Sequence, residues 1–145
     1  METTQYPADF LRGIPNKDFI SNGLVLANAF QFDDVSRPDG KKELSINWND
    51  CEEALTTALN QRKTNGRLQF PAGVANLELA KVKLFLATFI NQGVFSYERN
   101  EIEGNPYHGN LLITGTLDKQ SRSLVSSGLA LVAGTNITYQ PPENE

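Results

Sequence analysis

The most chemically loaded stretch of this chain surrounds its single histidine. His108 stands in Asn105-Pro106-Tyr107-His108-Gly109-Asn110, downstream of Glu98-Arg99 and directly upstream of the apolar run Leu111-Leu112-Ile113. An imidazole is the one side chain whose unperturbed pKa lies near neutrality, so His108 is the candidate general acid or base. Glu98 is the carboxylate that would orient its ring, and Arg12 or Arg99 would hold an anion by paired hydrogen bonds. The catalytic candidates are therefore His108, Glu98 and Arg12. The binding candidates are Tyr107, His108, Asn105 and Arg99, joined by Asp33 and Asp34 of an acidic loop. A plainer reading covers the same residues. Asn-Pro opens an ordinary turn, a lone His beside a Tyr is commonly structural, and Glu-Arg at a strand end is commonly a solvated pair.

No complete catalytic signature accompanies His108. There is no Gly-x-Ser-x-Gly elbow. Pro38-Asp39-Gly40-Lys41-Lys42 has the composition of a hairpin tip, not of a phosphate-binding loop. One cysteine, Cys51, excludes an internal disulfide and a cysteine-based metal cluster, and with one histidine no zinc site from this chain alone is expected. No cofactor is expected. Cys51 falls on the apolar stripe of a helix, which predicts a buried, inert thiol.

Around these residues the sequence lays out an α+β pattern. Leu24, Leu26, Phe30 and Phe32 recur at period 2 and predict a strand over Leu24–Phe32, opened by an Asn22-Gly23 turn. Leu44, Ile46 and Trp48 alternate in the same way within Glu43–Trp48, and the two segments predict a hairpin with a long polar connection. Asp50 with Glu53 is in capping-box register and starts a helix over Cys51–Lys63. Leu68–Ala75 predicts a strand interrupted near Pro71. Leu77–Gln92 fits a helical face better than a strand on length. Val94–Tyr97 and Gly109–Thr114 predict strands on either side of the Pro106 turn, and Asp118–Ala133 predicts a second clear helix with Gly134 as its stop. Its serines are expected to be the wet side. Together these predict a single α+β domain over 1–145, ordered over about 8–139. A mainly antiparallel sheet carries two or three helices on one face. His108 is expected at the head of a core strand, bonded to the Arg12–Asn16 backbone or to a polar side chain near Glu98.

Charge narrows the function classes. The net charge is −4 and charged residues make up 21%, with a pI near 5.0. That balance argues against nucleic acid or an anionic membrane as the main partner. The opening METTQYPADF has neither a basic nor an apolar leader region, and no run reaches membrane-span length, so the expected compartment is the cytoplasm.

The order LRGIPNKDFISNGLVLANAF, a short Leu44-Ser45-Ile46 strand, a Cys51-Glu52-Glu53-Ala54 helix and NPYHGNLLI before a final helix resembles a widespread set of small bacterial proteins. The resemblance spans roughly Phe10 to Ala133. It implies a compact single domain from a bacterium or its phage and brings no catalytic residue with it. Tyr107-His108-Gly109 is also similar to the Tyr-His-Gly of some ADP-ribosyltransferases. There the histidine lies early with most of the fold after it, whereas here the chain ends at Glu145, soon after Gly109, so that reading is set aside.

Two functions follow as expectations. The first is a non-enzymatic component of a bacterial or phage multi-gene system, such as a defence system, that binds another protein through a surface including the Asp33–Asp39 loop. The second is a small hydrolase or transferase using His108. Convergence of His108, Arg12 and Glu98 on one open pocket would separate them.

Overall fold

The computed structural model describes residues 7–33, 37–49, 51–89, 95–114 and 117–140. Strand β1 (Asp9–Ile14) runs into a short 3-10 turn (Lys17–Phe19), capped by the Asn16 side chain accepting from Asp18 N. Strands β2 (Ile20–Ser21) and β3 (Leu24–Val25) form a small separate ribbon, and a second 3-10 turn covers Ala27–Phe30. The chain continues through β4 (Lys41–Trp48), α1 (Glu52–Asn60), β5 (Gly73–Glu78), α2 (Leu79–Phe89), β6 (Phe95–Arg99), β7 (His108–Thr114), α3 (Lys119–Ala133) and β8 (Ile137–Thr138). The main sheet has the order β6-β7-β4-β1-β5-β8, and its pairings are antiparallel. The α+β class expected from the sequence is what the chain adopts.

The sheet is covered on both faces, not on one as the sequence suggested. One face carries Phe10, Ile14, Leu44, Ile46, Trp48, Leu77, Leu111 and Ile113, all buried beneath α2, α3 and the Ala27–Phe30 turn. On the other, Leu11 and Val74 pack against Ala54 and Ala58 of α1. Alternation along each strand divides its side chains between the two layers. Small residues on α1 let that helix lie close to the sheet.

Several expected elements are redrawn. Leu24–Phe32 is not one strand. Asn22 and Gly23 both take positive φ, 53° and 77°, which closes the tight β2–β3 ribbon. The chain then coils so that Ala29 and Phe30 enter the core while Leu24 and Leu26 stay exposed. The expected hairpin with β4 is therefore absent among the described residues, and β4 pairs with β1 and β7. Leu68–Phe70 adds only an Arg62–Leu68 bridge, and the strand starts at Gly73. Leu77 and Glu78 end β5 before α2 begins. The first long helix starts at Glu52 and stops at Asn60, so Arg62 and Lys63 lie beyond it. Cys51 sits ahead of this helix and is exposed, contrary to the buried thiol expected. Its place at the cap position lifts it off the apolar stripe. In α3, Ser126 is buried on the inner side while Leu124 and Leu131 face outward. Asp50, as a cap, and Val94 lie outside the described residues.

Candidate functional site

Leu11, Asn47 and His108 form one row across β1, β4 and β7, paired Leu11 to Asn47 and Asn47 to His108. This row floors a polar cleft of about 100 Å³, walled by Gln61, Gln69 and Phe70 and by Ile102 and Asn105 of the 100–107 turn. Phe70 closes it by lying flat on Gly13, where any β-carbon would strike the ring.

The turn carrying His108 is held by amides. Tyr107 N donates to Asn105 Oδ1 at 3.0 Å, which commits that oxygen and leaves Nδ2 to donate to Asn47 Oδ1 at 2.9 Å. Both asparagines are buried. Arg99 closes the outside of the turn, donating to Pro106 O from Nη2 at 2.9 Å. Its guanidinium lies 5.8 Å from the Trp48 ring centre and 6.0 Å from that of Tyr107, within cation–π range. Asn105, Tyr107 and Arg99, read from the sequence as binding residues, thus build the turn.

His108 is half-buried, and its Nδ1 lies 2.8 Å from Asn100 O. A carbonyl only accepts, so Nδ1 carries the proton and the neutral ring keeps its lone pair on Nε2. The partner is the Asn100 backbone, not the Arg12–Asn16 segment or a side chain near Glu98. The ring is thus set as a hydrogen-bond acceptor or base.

Arg12 reaches the same cleft for a reason invisible in the sequence. β1 pairs with β5 from Asp9 to Ile14 but with β4 at Phe10 and Leu11. Beyond Leu11 the Arg12 guanidinium bridges outward, with Nη1 donating to Ser45 O and Nε to Ala29 O, both at 2.8 Å. Burial pulls its pKa down to about 10, against the pull of the Asp33 charge in the other direction. Arg12 is a bridge joining sheet and 3-10 turn, with little freedom to grip a ligand.

Glu98 does not join them. It is the cross-strand partner of Asn110, two positions along from His108. Its Oε1 accepts from Asn110 Nδ2 at 2.9 Å and from Arg37 Nη1 at 2.6 Å. Burial pushes the Glu98 carboxyl up, but the Asn110 and Arg37 hydrogen bonds and the Arg37 charge prevail, and its pKa is lowered. Arg37 also meets Asp39 and Glu43, so the described part of the acidic loop is tied down on the sheet. Asp33 is exposed, and Asp34 lies outside the described residues.

The structure therefore brings His108 and Arg12 to one cleft and leaves Glu98 out. The cleft residues missed by sequence reasoning are Asn47, Gln61, Gln69 and Phe70. Asn47 had a signal, as the polar member of an alternating strand; the others come from the irregular segment after α1 and had none. Among the described residues no three His, Cys, Asp or Glu gather to hold a metal, and no helix is long and apolar enough to cross a membrane. The class that fold and site define is a single antiparallel α+β domain with a polar amide-lined cleft. No protein-family model, curated protein or solved structure matches the chain.

Proposed function

We propose that this protein acts without chemistry of its own, as an accessory component that binds another protein. The observation that supports this is an outward apolar surface on the paired helices α2 and α3. Leu84, Leu124 and Leu131 are 68%, 50% and 83% exposed. Ala80 and Ala87 share the outer side of α2 with Leu84 and are also exposed. The helices are locked together by Phe85 lying against Gly128, so the surface is pre-formed. Large apolar side chains held outward on rigid elements suit an interaction site. Lys81 and Lys83 border it on α2 and fit a partner with an apolar centre and an acidic rim.

The test is a double variant, Leu84→Glu with Leu131→Glu, in outward positions that leave the melt unchanged. Captures by wild type and variant from the host are compared. A partner bound by wild type and lost by the variant is the expected result; a partner retained by the variant overturns this reading.

A second reading keeps His108 as an acid or base in a hydrolase or transferase, favoured by its tautomer and its place in a cleft. Against it, among the described residues no carboxylate lines that cleft. Substrate turnover abolished by His108→Gln would replace the binding reading.

A further inference from the structure

A second cleft, of about 150 Å³, lies between the Ala27–Phe30 turn and α3. Its polar lining includes Asn28 and Gln31 on one wall and Lys119, Arg122, Ser123 and Ser127 on the other. We infer that this cleft binds the phosphate group of a small phosphorylated molecule.

The charge pattern is the first support. In a chain of net charge −4, two cations three residues apart on one helix line the cleft, and among the described residues no Asp or Glu does. Asp118 stands at the head of the same helix, but its Oδ1 accepts from Ser121 N at 2.7 Å. That bond to the Ser121 backbone holds its carboxyl below the usual range, with its Arg122 attraction a smaller contribution.

The second support is pre-organisation. Ser126 Oγ donates to Phe30 O at 2.7 Å and also lies 3.2 Å from Arg122 O, fastening the two walls to each other. Arg122 Nη1 donates to Leu117 O at 2.7 Å, which braces the guanidinium and leaves further N–H groups for a ligand. Among the described residues the side chains of Lys119, Ser123, Ser127, Asn28 and Gln31 make no hydrogen bond or ion pair of their own. They are polar groups held on a fixed frame with unused donors.

The donor geometry selects the anion. Ammonium, guanidinium, hydroxyl and amide donors stand on two opposed walls. A tetrahedral oxyanion accepts from several directions at once, whereas a planar carboxylate is best met by one fork. A phosphate monoester also carries close to two charges at neutral pH, matching two cations. A volume of this order holds a molecule of about benzene's size, which is enough for the phosphate group itself, with the rest of the ligand extending out of the cleft.

The test is a titration of the intact chain with inorganic phosphate, followed by backbone amide NMR at constant ionic strength, with acetate as the parallel arm. Saturable shifts at Asn28, Gln31, Ser123 and Ser127 with phosphate and not with acetate are expected. Lys119→Gln, in an exposed position, should melt like the wild type and weaken phosphate binding by about tenfold. Absence of saturation, equal response to acetate, or an unchanged affinity in Lys119→Gln would overturn the inference. Leu84→Glu with Leu131→Glu should leave phosphate binding unchanged, so the two proposals fail independently.

Discussion

Asn105 and Asn47 lie 58 positions apart in the chain and share a buried hydrogen bond of 2.9 Å, Nδ2 to Oδ1. This bond ties the 100–107 turn to the centre of the sheet and so sets where His108 stands. Asn105→Ala would leave the Asn47 oxygen and the Tyr107 N–H without partners. A stability loss of about 1–3 kcal/mol is expected in a chemical melt. Hydrogen exchange at Tyr107 should rise above that of the β4 core. A variant as stable as the wild type would show that the Asn105 amide does not hold the turn.

Gly109 lies under the Trp48 indole, whose Nε1 donates to Glu98 O at 3.1 Å. A β-carbon at 109 would collide with both the indole nitrogen and the Glu98 carbonyl. Gly109→Ala should therefore cost about 1–3 kcal/mol through displacement of packed groups. Trp48 is the one tryptophan in the chain, so its emission should shift to the red as the ring is pushed toward water. Unchanged emission and an unchanged melt would contradict this packing.

The Glu98 carboxyl is lowered from 4.5. A carboxylate with a depressed folded pKa contributes stability that is present above its unfolded pKa and is lost as pH falls through the folded value. The Arg37–Glu98–Asn110 group should thus weaken on acidification, over the window that opens at the ordinary carboxylate value of 4.5 and runs downward from it. Glu98→Gln should be less stable at neutral pH and show a flatter fall over that window. A parallel acid limb in both proteins would mean the carboxylate is not coupled to folding.

Cys51 is exposed ahead of α1. A thiol reagent should label the native protein at nearly the rate seen for the unfolded chain. Slow native labelling that accelerates on unfolding would restore the buried thiol that helical spacing suggested.

What the sequence determined by itself was local. Period-2 alternation of Leu44, Ile46 and Trp48, the Asn22-Gly23 turn and the Gly134 stop each depend on neighbours in the chain, and each is realised. The α+β class follows from their sum. The failures share one cause. The apolar pattern of Leu24 to Phe32 suits a strand, yet the core beneath α3 takes Ala29 and Phe30 and leaves Leu24 outside. Burial is decided by what lies opposite in space, and periodicity reports only which side chains share a face. The same limit applies to the site. That His108 sits on a constrained turn was legible from Pro106 and Gly109. That Asn100 sets its tautomer, that Glu98 belongs to Arg37, and that Arg12 bridges Ser45 and Ala29 are pairings across 8, 61, 33 and 17 positions. Only strand order and register fix such distances, and those emerge when the whole sheet closes.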